Sequence, residues 1–152
     1  MRVMAIDPGS NQIGIAVFKG KRLLNSGTFE VIKTDLAYSK LLYIHNLIKS
    51  ALSIHYPDII IIESLKSMRN AKTTRILSEI IGAIKLTIIL DNKVYDEVHP
   101  KTMKKVITGN GNADKEMVKK VIIKKFKKKK DISYDESDAI GLGYTYIINN
   151  DN

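Results

Sequence analysis

DIIIIE, residues 58–63, is an unbroken β-branched run with a carboxylate at each end. Four successive isoleucines leave no polar face. As a strand the segment must be covered on both sides, which marks a central strand reached by helical crossovers. Its neighbours agree. Upstream, Leu36, Leu41, Ile44, Leu47, Ile48 and Ala51 recur at helical spacing, from Thr34 as a candidate N-cap to Tyr56-Pro57. Downstream, Ile76, Leu77, Ile80, Ile81 and Ile84 repeat the pattern between residues 70 and 90, and residues 93–98 form the next strand.

Nearer the N-terminus the pattern changes. Residues 2–7 read as a short apolar strand, residues 12–18 as a second, and residues 23–32 as a third after the turn Lys19-Gly20-Lys21. Short turns between them predict an antiparallel meander. Two more helices are expected around residues 114–127 and 135–148. The order is βββ-α-β-α-β-α-α, without repeat or linker, so residues 1–152 are expected to form one domain. The predicted class is α/β, with a mixed five-stranded sheet flanked by helices: a three-stranded antiparallel meander plus two parallel strands. This is the layout of the ribonuclease H-like fold.

Composition narrows the chemistry. Hydrophobic residues make up 44% of the 152, enough for a folded core. The absence of cysteine excludes disulfides, thiolate zinc sites and a cysteine nucleophile. No window holds the ~20 apolar residues of a membrane helix, and the expectation is a soluble, cytoplasmic protein with no membrane partner. The net charge is +9, yet residues 99–130 alone carry twelve lysines against two acids, Asp114 and Glu116. Such a stripe attracts phosphate backbones. A solvated lysine face from an AT-rich genome would look the same.

The acids are placed more tellingly. Asp7 ends the first strand and is followed at once by Pro8-Gly9-Ser10. Asp-Pro-Gly is a common turn, so on this stretch alone a capping role and a cation-gripping role both stand. Glu63 ends the buried fourth strand. If those strands are parallel neighbours, their C-terminal ends bring Asp7 and Glu63 into the crevice where open α/β sheets hold ligands. In YDESDAIGLGYTYI, residues 134–147, Asp135 and Asp138 are three apart and share a helix face. An acidic first turn suits the helix dipole, but two like charges on one face repel unless a cation lies between them. Carboxylates with water are the ligands Mg²⁺ prefers. Four converging carboxylates fit a two-metal site for phosphodiester hydrolysis, with ions about 3.5–4 Å apart.

Four blocks in order carry a family resemblance: AIDPGSNQIGIAV (5–17), PDIIIIESLKSMRNA (57–71), KTMKKVITGNGNADKEMV (101–118) and DESDAIGLG (135–143). The chain resembles the RuvC-type Holliday-junction resolvases. The resemblance implies a homodimer that nicks four-way DNA junctions symmetrically, using two Mg²⁺ per site with Mn²⁺ able to substitute. It implies Asp7, Glu63, Asp135 and Asp138 as catalytic metal ligands. It implies Lys104 and Lys115 as phosphate contacts; Lys66, Lys101 and Lys105 are this chain's further candidate DNA-binding residues. The chain departs from the family at Lys66, where relatives usually carry an aromatic that stacks on a junction base. Relaxed sequence preference and action on three-way junctions, flaps and forks are therefore expected. The Lys- and Ile-rich composition suggests a phage-encoded or low-GC bacterial member, and a branch-migration motor as partner is left open. The rival readings are a YqgF-like nuclease acting on structured RNA and a non-catalytic junction-binding protein. A sugar kinase or actin-like ATPase would need a duplicated fold and over twice this length.

The remaining polar and aromatic residues are given lesser parts. His45 and His55 are expected to face solvent, His99 beside Pro100 is a candidate DNA neighbour, and Tyr134, Tyr144 and Tyr146 are expected to pack the last helix.

Overall fold

The computed structural model describes residues 1–34, 36–65, 70–128 and 131–151. Strands β1 (Arg2–Asp7), β2 (Gln12–Lys19) and β3 (Arg22–Glu30) form the meander. Helix α1 (Ala37–His55) then crosses to β4 (Ile59–Glu63), and α2 (Ala71–Leu90) to β5 (Tyr95–Val98). Helices α3 (Pro100–Thr108), α4 (Lys115–Phe126) and α5 (Tyr134–Asn149) follow. The sheet order is β3-β2-β1-β4-β5, with β1–β4 and β4–β5 parallel. This is the predicted mixed sheet.

Alternate strand residues face opposite sides of a sheet, and two cores result. Val3, Ala5 and Ile61 pack with the apolar sides of α3, α4 and α5, while Met4, Ile6, Ile60 and Ile62 pack with α1 and α2. Ile60, Ile61 and Ile62 are all 0% exposed, which is why DIIIIE lacks a polar face. Each such isoleucine contributes about 1.5–3 kcal/mol by burial.

Helix α5 is apolar almost all round and lies against β1 and β2. It comes close because of glycine: a Cβ on Gly143 would sit 2.7 Å from the Phe18 ring.

The structure differs from expectation in several places, and β5 begins at Tyr95 rather than residue 93. Helix α3 was not anticipated. It is nine residues long, starts with Pro100 at its first turn, is capped by the His99 side chain accepting from the Lys101 N–H, and ends at Gly109 with φ +80°. Thr34 does not cap α1, whose N-cap is Leu36 with no side-chain hydrogen bond. The Thr34 hydroxyl instead accepts the Leu36 N–H at 3.1 Å, a local turn that competes with capping. Strand β3 stops at Glu30, two residues short of the predicted end.

Candidate active site

The parallel pairing of β1 and β4 aligns Ile6 with Ile62, so one rung further Asp7 and Glu63 emerge side by side from the sheet. On its other flank Asp7 pairs with Gly14 of β2. Gly14 in turn admits the start of α5: a Cβ there would lie 2.1 Å from the Asp135 carbonyl oxygen. No side chain fits in that gap, and through it the helix carrying Asp135 and Asp138 reaches the strand end carrying Asp7.

The first turn of α5 is fastened to β3. Ser133 caps the helix by accepting the Glu136 N–H at 2.9 Å, and its hydroxyl also pairs with that of Thr28. Glu136 accepts from Ser26 Oγ at 2.7 Å and is paired with Lys128 Nζ at 3.0 Å, which also donates to Ser26 Oγ at 3.0 Å. Glu136 is largely buried in this three-way contact. The lysine of the basic run therefore points inward here and locks the acidic helix in register. Sequence reasoning missed this clamp, although Ser133-x-x-Glu136 is a capping-box pattern that flags the helix start.

Asp7, Glu63, Asp135 and Asp138 all line one cavity of about 350 Å³, with Lys104, Lys115, Ser64 and Thr73 among its other walls. Burial pushes the Asp7 carboxyl well above the ordinary carboxylate range, and Glu63, Asp138 and Asp135 push it further while Lys115 opposes them. Asp138 is pushed up to about 6, again first by burial, with Lys115 and Lys104 pulling it back and Glu63 and Asp135 adding to the rise. The electrostatics are those of a site short of positive charge. Among the described residues no three His, Asp or Glu side chains are already gathered about one metal-sized point. The acids instead border a cavity held open between strand ends and helix. The donor set is all oxygen, anionic and partly desolvated, which fits a hard divalent cation better than a soft one.

The predicted basic residues divide. Lys104 and Lys115 stand in the cavity wall beside the acids. Lys101 and Lys105 are exposed on α3 outside that wall, and both lie against Gly111 in the loop after the helix. Lys66 lies outside the described residues. His99 serves as the α3 cap, and His45 is half-buried with Nδ1 2.9 Å from Thr87 Oγ1, so it does not simply face solvent. Tyr134 does not pack the last helix. It is exposed beside Asp135, its hydroxyl donates to Glu116 at 2.9 Å, and Lys119 Nζ lies 5.1 Å from its ring centre. Tyr144 does pack, edge-on to Phe126.

Comparison with known proteins gives one answer. The sequence profile of the family "Crossover junction endodeoxyribonuclease RuvC" matches residues 3–146. The chain is 32% identical to the crossover junction endodeoxyribonuclease RuvC of Wolinella succinogenes, over 96% of this chain and 93% of that one. It is 31% identical to that of Rickettsia prowazekii, over 97% and 98%. Among solved structures, Thermus thermophilus RuvC superposes with a TM-score of 0.80 at 22% identity, over 95% of this chain and 92% of that one. The same protein in complex with Holliday junction substrate gives 0.82 at 20% identity, over 95% and 91%. These structural likenesses show the fold.

Proposed function

Because the chain belongs to the crossover junction endodeoxyribonuclease RuvC family, we propose that it is a metal-dependent endodeoxyribonuclease that resolves Holliday junctions by paired nicks. The observation that carries the reading is convergence. Four acids from two strand ends and one helix meet in a single cavity, with Lys104 and Lys115 beside them.

We assign Asp7, Glu63, Asp135 and Asp138 as the residues that hold the metal, with Mg²⁺ as the ion and two per site. When bound, the ions supply Lewis-acid polarisation of the scissile phosphate and an activated water. The protein's own part is to bring the four carboxylates to one cavity, with Asp7 and Asp138 buried where their charge is disfavoured in the absence of a cation. Ion binding is then coupled to the full ionisation of Asp7 and Asp138. Lys104 and Lys115 are placed to donate to non-bridging phosphate oxygens and to offset the negative charge that grows there as the bond breaks. Gly14 and the Lys128–Glu136–Ser26 clamp fix the position of the helix that brings Asp135 and Asp138.

Paired nicks need two such sites, hence a homodimer. A surface suited to association exists at the end of α2, where Leu86, Ile89 and Leu90 are exposed close to Val94. The substrate range extends in this proposal to three-way junctions, flaps and forks. The test is a labelled four-way junction incubated with the purified protein, with Mg²⁺ and with EDTA. Paired nicks across the branch are expected only with Mg²⁺, and nicking of linear duplex at the same rate would overturn the reading.

A further inference from the structure

Away from the acids, a second cavity of about 380 Å³ is bordered by Lys21, Arg22, Lys125 and Lys127, with Phe126 and Tyr144 in its wall. We propose that this cavity is a distal phosphate-binding site, which takes the backbone of a substrate duplex arm about five base pairs from the cut. The proposal rests on the junction-resolving function above.

Charge comes first. Four cations converge, and no acid is among the lining residues; Asp151 pairs with Lys21 at the rim. The cations also stand on a fixed base. Phe18, Phe126 and Tyr144 stack edge to face with centroids 5.8 and 5.5 Å apart, and Lys125 Nζ lies 4.4 Å over the Tyr144 ring. Packed aromatics of this kind hold the end of α4 firmly, so a phosphate meets ordered charges rather than loose side chains.

Continuity comes second. Helix α4 begins at Lys115, in the wall of the acid cavity, and ends at Phe126 and its cap Lys127, in the wall of the distal one. Twelve helical residues span about 18 Å. The exposed Lys120 and Lys124 lie between. Duplex DNA advances about 3.4 Å per base pair, so a backbone leaving the acid cavity along α4 meets the distal cations about five base pairs out. Lys128 takes no part, since it is bound to Glu136 and Ser26.

Cations at a helix C-terminus also favour the helix dipole, and the experiment must separate that structural role from DNA contact. The variant is Arg22→Gln with Lys127→Asn, because Lys127 sits at φ +51° and Asn tolerates that conformation. Junction binding is measured against salt concentration. A slope reduced by about two is expected for two lost phosphate contacts, with the cleavage rate of bound junction unchanged. Phosphates four to six base pairs from the cut are then neutralised one at a time as methylphosphonates. Each should weaken wild-type binding several-fold at one of these positions and leave the double variant indifferent there. The single variant Lys125→Gln should lower the slope by about one, in the same direction. An unchanged slope, or equal loss from the neutral phosphate in both proteins, overturns the distal site while leaving cleavage intact. A wild-type protein that leaves junctions uncut would instead overturn the function beneath it.

Discussion

Replacing Asp138 by Asn removes a buried charge while nearly keeping its shape, and the cost of that charge can be worked out. Asp138 is 8% exposed, and its carboxyl is pushed up from 3.8 to about 6, first by burial. A difference of about two units is worth about 3 kcal/mol at about 1.4 kcal/mol per unit. Its sign follows from proton linkage. The folded state holds the proton more tightly than the unfolded chain, so the stabilisation is complete below pH 3.8 and is lost as pH rises through 6. Without metal, the wild type has given up about 1 kcal/mol by pH 4.5 and about 3 kcal/mol by pH 7.5, whereas Asn gives up none. In EDTA, Asp138→Asn should therefore unfold at a urea midpoint about 1–3 M higher than wild type at pH 7.5. The gap should shrink to about a third by pH 4.5. If the four acids hold the ion as proposed, saturating Mg²⁺ should raise the wild type alone and close the gap. The variant should be more stable and inactive. Equal or lower stability for Asn at pH 7.5 in EDTA, or a gap that ignores pH, would refute the burial argument.

Other outcomes follow from the same geometry. Single Asp7→Asn, Glu63→Gln and Asp135→Asn changes should abolish junction cleavage while leaving binding within a few-fold; a variant cutting at near wild-type rate removes that residue from the site. Lys104→Ala and Lys115→Ala should each flatten the salt dependence of junction binding by about one unit of slope, and unchanged slopes in both would mean that neither touches phosphate. Gly14→Ala drives a methyl into the Asp135 carbonyl, so cleavage should drop by at least about tenfold as a small misplacement of the reacting groups can cost; a fully active, Mg²⁺-responsive variant would show that α5 can shift freely. Cuts mapped on junctions of randomised core sequence should be spread widely if Lys66 stands in place of a base-stacking aromatic, and a sharp consensus would count against that view.

The sheet was readable because its signals are local and redundant. DIIIIE can hardly be anything but a central strand, and Asp7 and Glu63 announce themselves as strand ends. Asp135 and Asp138 were legible through their spacing. Helix α3 was not, since nine residues give only about two and a half turns of periodicity and its lysines drew attention to charge instead. Two lysines of one run, Lys127 and Lys128, end in opposite places: one at a surface cavity, the other in an internal clamp. Composition cannot tell them apart, because the partner that turns Lys128 inward, Ser26, is 102 residues away. Tyr134 was misjudged for a similar reason. Its hydrogen-bond partner Glu116 belongs to another helix, and nothing near it in sequence foretells the contact.

The acids are scattered along the chain, and that sets a timetable. Asp7 is made before Glu63, and Asp135 and Asp138 only after all five described strands and the four other described helices have been translated. Helix α5 then has to settle into the gap left by Gly14 before the cavity exists. On the proposed assignment, a ribosome carrying a half-made chain, or a protease product lacking α5, holds two of the four acids and should not cut. On that assignment the order of the residues alone keeps the nuclease inert during its own synthesis.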